Sequence, residues 1–197
     1  MSFSHPRQGR GRDDGRSAGP VPGLPPLALV NNRQNVNCSQ HKLGTCLLNI
    51  FVHNDFQRTS LGNLHKVSSH EAPSLDSPLL WDLILPAPVT AVVSSPSQLV
   101  VTCRDATLHL LSSSGSRTLP PAVLPAPPHR LALAPCGTLL ACVTTNAKLF
   151  LWKLDLVPKI ILKNEDIGPL ARTNKRVCVT ITKITFNSDK LPIISLR

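Results

Sequence analysis

Residues 135–155, which read PCGTLLACVTTNAKLFLWKLD, contain the pattern of a short β-hairpin and decide the fold. A Pro-x-Gly turn precedes the apolar run Leu139–Val143, and a small polar turn separates it from the run Lys148–Trp152. Short apolar runs on either side of a polar turn predict two antiparallel strands. A large aromatic residue that closes the second strand is typical of the inner hairpin of a propeller blade. If this interpretation is right, the unit should recur at a spacing of about 40 residues.

A second copy of this unit precedes the first. Leu85-Pro86-Ala87-Pro88 returns as Leu124-Pro125-Ala126-Pro127 at an offset of 39 residues. Two extra residues in the second turn then change the offset to 41. A period near 40 residues predicts a four-stranded propeller blade, which must stack on its neighbours to cover both faces of its sheet. The first offset aligns Val92 with Leu131, Pro96 with Pro135, Val100 with Leu139, Val101 with Leu140 and Cys103 with Cys142, and the second aligns Ala106 with Ala147, Leu108 with Leu149 and Leu110 with Leu151.

The region from residue 81 onward predicts a chain of short strands separated by Pro, Gly, Ser or Asn. A third copy begins near the end, because Ile184 and Phe186 align with Leu131 and Leu133 at an offset of 53. We therefore predict an all-β fold, a partial WD-type β-propeller with about two blades and the start of a third. The predicted strands are Val89–Val93, Leu99–Cys103, Thr107–Leu111, His129–Leu133, Leu139–Val143, Lys148–Trp152 and Lys159–Leu162.

Composition divides the chain into three predicted segments. Residues 1–30 are rich in Gly, Pro and Arg and predict a disordered tail. Residues 31–80 are polar and predict a loosely structured linker with one short strand over Cys46–Val52. Residues 81–197 hold the predicted blades, truncated at the C-terminus, so the chain reads as a fragment of a larger propeller. No stretch has the length of a signal peptide or membrane span, which predicts an intracellular protein with reduced thiols.

The net charge of +10 is spread along the chain, although residues 156–197 carry half of it. A diffuse positive balance is typical of a solvated basic surface, and it also permits weak attraction to nucleic acid through residues 7–16 and 172–176. No aromatic residues interleave with those charges, which argues against sequence-specific recognition of bases.

No constellation of residues favours an enzyme or a cofactor. The serine run 112–116 lacks the Gly-x-Ser-x-Gly pattern of a nucleophile elbow, and Asp105 and His109 lie four apart across a turn and a strand, where their side chains need not converge. Zinc prefers close pairs of ligands, and the set Cys38, His41, Cys46 and His53 has no established zinc spacing. We predict no catalytic residue, no metal and no cofactor, with the zinc alternative open for that set.

The segment from Trp81 to Asp155 resembles the C-terminal region of the Hir/HIRA family of WD-repeat histone chaperones. The resemblance rests on a Trp followed by Leu-Pro-x-Pro, an Asp-Ala-Thr-Leu strand, a Ser-Ser-x-Gly-x-Arg-x-Leu-Pro-Pro turn, a second Leu-Pro-x-Pro and a closing Leu-x-x-Trp. These motifs stand at Trp81, Leu85–Pro88, Asp105–Leu108, Ser113–Pro121, Leu124–Pro127 and Leu149–Trp152.

The resemblance implies a non-enzymatic, nuclear scaffold in replication-independent chromatin assembly and transcriptional repression. Its partners would be subunits of a histone chaperone complex, with histones bound indirectly, DNA reached only through the complex, and self-association as a further contact. A generic WD-repeat adaptor and a basic nucleic-acid-binding protein remain alternatives. The residues expected to define the blades or bind a partner are Trp81, Leu85, Pro86, Asp105, Leu108, Gly115, Arg117, Pro120, Pro121, Leu124, Pro125 and Trp152.

Overall fold

The computed structural model describes residues 39–43, 46–71, 78–155, 158–171, 181–189 and 191–196. These residues form fourteen β-strands and one 3-10 helix, Gly168–Ala171. The strands make four antiparallel sheets, and the neighbours within each sheet are consecutive in sequence. The predicted all-β class is confirmed.

Three of these sheets have four strands and the last has two. Sheet I contains β1 (Ser39–Leu43), β2 (Cys46–Thr59), β3 (Gly62–Glu71) and β4 (Leu79–Leu85). Sheet II contains β5 (Val89–Ser94), β6 (Leu99–Cys103), β7 (Thr107–Leu111) and β8 (Ala122–Val123). Sheet III contains β9 (Pro128–Leu133), β10 (Leu139–Thr144), β11 (Lys148–Lys153) and β12 (Lys159–Asp166). Sheet IV contains β13 (Ile181–Phe186) and β14 (Pro192–Leu196).

The sequence repeat is also a repeat of backbone geometry. Ala106 and Ala147, which the offset of 41 aligns, both have positive φ, at 68° and 58°. The amide of Leu124 donates to the carbonyl of Ala106 at 2.9 Å, and the amide of Ile167 donates to that of Ala147 at 3.0 Å. Alanine rarely adopts a positive φ, so the shared conformation identifies two copies of one turn. Ile167 is thereby the counterpart of Leu124, a match that the sequence alone did not reveal.

Each sheet buries one face against the next sheet. The first strands of neighbouring sheets lie close together, as they do around a propeller axis. The core between sheets I and II contains Leu85, Val101 and Cys103. The core between sheets II and III contains Leu108, Leu140 and Trp152. The core between sheets III and IV contains Val143, Leu149 and Ile181. The partial WD-type propeller is confirmed.

The prediction of a loosely structured linker over residues 31–80 was wrong, because most of the described residues in this range form β-strands. The predicted short strand over Cys46–Val52 is the first half of β2, and β3 and β4 complete a four-stranded sheet with it. The sequence concealed this blade because its strands bury polar side chains: Asn49, His65, Ser68 and Ser69 are all at most 2% exposed. The described part of the chain therefore holds three four-stranded blades and half of a fourth. The predicted tail, residues 1–30, lies outside the described residues.

Candidate partner-binding surface

Alternating strand directions distribute the loops between two faces of the partial propeller. Loops β5–β6 and β7–β8 leave one end of sheet II, and loops β9–β10 and β11–β12 leave the corresponding end of sheet III. We call this the groove face. Loops β6–β7 and β10–β11 leave the opposite end, together with the connections between sheets, and we call that end the linker face. The predicted partner-binding residues divide between these two faces and the cores.

On the linker face, the Leu-Pro-x-Pro motifs connect one sheet to the next. Leu85 and Leu124 are buried in the inter-sheet cores, whereas Pro86 and Pro125 are exposed. The carbonyl of Pro88 accepts the amide of Arg104 at 2.8 Å, which binds the connection to the β6–β7 turn. The leucines therefore define the blade, and only the prolines remain available to a partner.

Asp105 organises the β6–β7 turn through Thr107. Its Oδ1 accepts the Thr107 hydroxyl at 2.6 Å and the Thr107 amide at 3.1 Å. The same hydroxyl lies 3.2 Å from Nε2 of the buried His109. Burial lowers the pKa of His109, the nearby Arg117 lowers it further, and Asp105 opposes both effects.

This chain of contacts corrects one sequence expectation, because Asp105 and His109 do converge, through the hydroxyl of Thr107. The arrangement differs from a hydrolytic triad, in which the carboxylate orients the imidazole directly. Here the carboxylate accepts the hydroxyl and the turn amide, and Nδ1 of the buried His109 has no hydrogen-bond partner. The geometry is that of a turn held rigid by side chains.

Trp81 and Gly115 form a close contact between sheets I and II. The indole Nε1 of Trp81 donates to the carbonyl of Ser113 at 3.0 Å. Gly115 has φ +78°, and a Cβ added there would lie 2.4 Å from Cδ2 of Trp81. Only glycine combines that backbone conformation with so close an approach. The two residues therefore fix the β7–β8 loop against β4, and the exposed Arg117, Pro120 and Pro121 follow in the same loop.

Trp152 and Leu108 line a small apolar hollow between sheets II and III. The hollow has a volume of about 30 Å³, and its walls include Leu108, Leu110, Leu119, Pro120, Trp152 and Leu154. The indole of Trp152 stacks on Phe150 with ring centroids 5.6 Å apart. Trp152 is only 8% exposed, so it serves the inter-sheet core and presents one edge to the hollow.

A larger groove adjoins the hollow on the groove face. It encloses about 780 Å³ and meets the hollow at Leu154, which lines both. Lys153 forms an ion pair with Asp155 at 2.7 Å. The remaining polar walls come from four loops and include Ser97, Gln98, Thr118, Thr138 and Lys159. Sequence reasoning missed this groove because residues up to 62 positions apart build it, from Ser97 to Lys159, and no motif joins them.

Sequence reasoning also did not single out Asn54. Its side-chain amide spans the junction between sheets I and II, accepting the Val89 amide at 2.8 Å and donating to the Val89 carbonyl at 3.1 Å. Asn54 and Asp55, which has a φ of 59°, lie at the irregularity of β2 between His53 and Gln57, and the Asn-Asp pair is the sequence signal that could have identified it.

The zinc alternative stays untested for most of its proposed ligands. Cys38 and the side chains of His41 and Cys46 lie outside what the structure describes, and the exposed His53 stacks on Phe51. Among the described residues there is no group of His, Cys, Asp or Glu suited to a metal ion. In the same part of the chain, no helix has the length and hydropathy needed to cross a membrane.

Comparisons with known proteins agree with the fold. The chain is 29% identical over 116 residues to Protein HIRA of Xenopus laevis, a match that covers 59% of the chain. The crystal structure of HIRA(644-1017) superposes with a TM-score of 0.61 at 19% identity over 88% of the chain. The predicted resemblance to the Hir/HIRA family is confirmed. No protein-family model matches the chain.

The HIRA match is partial in length. It spans 11% of Protein HIRA, and the superposition covers 52% of the HIRA(644-1017) chain. The computationally designed Ika4 protein also superposes, with a TM-score of 0.52 at 12% identity over 88% of this chain and 98% of its own. At these identities the structural likenesses establish the fold, and the resemblance to the HIRA family rests on the sequence match.

Proposed function

We propose that the protein is a non-enzymatic scaffold of a histone chaperone complex. In this role it contributes protein–protein contacts to replication-independent chromatin assembly and transcriptional repression in the nucleus. The observation that carries the proposal is the 116-residue sequence match to HIRA. The architecture supports it, since the described loops present exposed prolines, an open groove and a rigid turn, all suited to docking a protein.

The proposed partners are chaperone-complex subunits, with histones held indirectly and DNA reached only through the complex. Among the described residues, two features favour protein contacts: the strand edge of β14 in its two-stranded sheet, and the exposed apolar residues of sheet I, which include Leu79, Leu80 and Ile84. An unpaired strand edge offers backbone donors and acceptors to another chain. The same features favour self-association as a further activity.

Affinity purification of the tagged full-length chain from nuclei tests this function. We expect subunits of a histone chaperone complex to co-purify, with histones among them, and to remain bound after nuclease digestion. Loss of all partners on nuclease digestion would instead identify a nucleic-acid-binding protein, whose affinity should also fall steeply with salt. Recovery of partners unrelated to chromatin would identify a generic WD-repeat adaptor. Either of these two results would overturn the proposal.

A further inference from the structure

We infer that the groove between sheets II and III, together with the adjoining hollow, binds a short acidic peptide segment that carries one aliphatic anchor residue. We define this composite as the peptide site. It rests on the proposed scaffold function only in taking a protein segment as its ligand. Three independent properties of the described residues lead to it.

The hollow has the shape and chemistry of an anchor pocket. All six residues named as its walls are apolar, and its volume of about 30 Å³ fits the end of one aliphatic side chain. Apolar cavities of this kind gain little from water, which needs two to four polar partners. Leu119, which lines the hollow, is 37% exposed, whereas Leu108 and Leu110 in the same wall are at most 5% exposed. An incoming aliphatic group would therefore complete a packing arrangement that the chain leaves open.

The groove provides charge complementarity to an acidic peptide. Lys153 and Lys159 line it, and among the described lining residues Asp155 is the one carboxylate, which Lys153 pairs at 2.7 Å. In the described part of the chain Lys159 has no ion-pair partner, and it is exposed. The groove thus carries a net positive charge and a cation ready to accept a ligand carboxylate. Complementary charge sets the specificity and the association rate of such a contact.

The groove also offers hydrogen bonds suited to a peptide backbone. The side-chain amide oxygen of Gln98 is buried and has no hydrogen-bond partner. A buried acceptor without a donor is unfavourable, and Gln98 lines the groove, so a turn of its side chain toward a bound peptide N–H would relieve that cost. The hydroxyls of Ser97, Thr118 and Thr138 line the same groove, and their oxygens can accept peptide N–H groups; the Thr118 hydroxyl itself donates to the Leu110 carbonyl at 3.2 Å. Its volume of about 780 Å³ accommodates several residues of extended chain.

Binding of a labelled peptide to the full-length chain tests this inference. The probe is the fluorescein-labelled peptide GSEDLDESG, followed by fluorescence anisotropy at low and at physiological salt. We expect saturable binding that weakens when the central leucine is replaced by serine and is lost when the acidic residues are replaced by lysine. Binding that survives the lysine replacement, or no binding at all, would overturn the site.

Matched variants locate the site on the protein. We expect Lys159→Glu and Leu119→Glu each to weaken binding about tenfold or more, because one reverses the free charge and the other fills the mouth of the hollow with a carboxylate. Lys163→Glu, on the same strand β12 but away from the groove, and Val123→Glu, at a position already 77% exposed, should leave affinity unchanged. Equal loss in all four variants would place binding elsewhere and refute the proposal.

The outcome of the peptide experiment is independent of the outcome of the co-purification experiment. If nuclear partners co-purify but the peptide does not bind, the scaffold role stands and the peptide site falls. Sedimentation of the same samples distinguishes a second occupant: a dimer that Lys159→Glu dissociates would show that another copy of the chain fills the groove, which would overturn the peptide proposal.

Discussion

At the scale of single residues, the blades are joined by a few specific contacts between side chain and backbone. Trp81 reaches the β7–β8 loop, and Asn54 reaches the backbone of Val89. Both tie sheet I to sheet II beside a core of mostly apolar side chains. Hydrogen bonds depend on direction more strongly than apolar packing does, so these contacts help to fix the position of sheet I relative to sheet II.

Substituting Gly115 tests one of these contacts. Gly115→Ala should destabilise the fold by about 1–3 kcal/mol, since the new methyl group meets the Trp81 ring and the backbone has φ +78°. Urea unfolding measures this free energy. In a Trp81→Ala background the same substitution should cost less, because the steric part disappears while the backbone strain remains. An equal cost in both backgrounds would contradict the close packing of the two residues.

Two buried histidines give the protein a pH-dependent stability. Burial lowers the pKa of His65 below its ordinary value of 6.5, against the opposing charge of Asp55, and burial together with Arg117 lowers that of His109. Both imidazoles are therefore favoured as neutral groups in the fold. Their contribution is complete above about pH 6.5 and is lost as the pH falls below it, because the unfolded chain binds protons first.

The expected result is a free energy of unfolding that decreases between neutral pH and pH 5. His65→Gln should weaken this dependence, although it lowers stability at neutral pH by disturbing the hydrogen bond from the Asp55 amide to Nδ1. His53→Gln, at an exposed position on the neighbouring strand, is the matched control and should leave the free energy of unfolding at neutral pH nearly unchanged. A flat profile for the wild-type chain would refute this account of His65 and His109.

At the scale of strands and sheets, aliphatic blades could be predicted closely and polar ones could not. The predicted strands Leu99–Cys103 and Thr107–Leu111 are β6 and β7 to the residue. Ser and Pro mark the turn before β6 and Ser and Gly the loop after β7, whereas Arg104 and Asp105 mark the turn between the two strands. Sheet I escaped prediction because its inner positions hold Asn49, His65 and Ser68, whose burial depends on packing against sheet II and on its own neighbouring strands.

The peptide site lies beyond sequence reasoning for a related reason. The sequence singled out Trp152 and Pro120, which line the hollow, from their local motifs. It could not place Gln98 beside Lys159, because that proximity arises only when two sheets stack. Local patterns predict strands and turns, whereas the composite surface depends on the angle and spacing between blades.

Cys103 and Cys142 lie on equivalent strands, so both should resist alkylation in the folded chain. Burial raises the pKa of Cys103 in β6 to about 11 and that of Cys142 in β10 to about 12, whereas Cys136 is exposed in the β9–β10 turn. At pH 8, iodoacetamide should modify Cys136 within minutes and leave the two strand cysteines unmodified until urea unfolds the chain. Peptide mapping by mass spectrometry measures this order. Early modification of Cys142 would show that sheets II and III do not pack as described.

At the scale of the whole molecule, the described chain forms an arc of stacked sheets. Three cores connect four sheets in order, so each inner sheet is covered on both faces while sheets I and IV have one neighbour each. In such an arrangement stability is shared between adjacent blades, and loss of one core weakens its neighbours. The half blade, sheet IV, depends on the core with sheet III for its stability.

Hydrogen exchange by mass spectrometry on the full-length chain, with its mass in solution recorded alongside, tests the central claim most directly. The structure predicts slow exchange in the strands of sheets I, II and III alike, including β2 and β3 between residues 46 and 71. Slow exchange confined to residues 85–163 would contradict the first blade and return that region to a linker. Fast exchange throughout would show that these blades do not fold in the chain itself, and the scaffold function would then lose its structural basis.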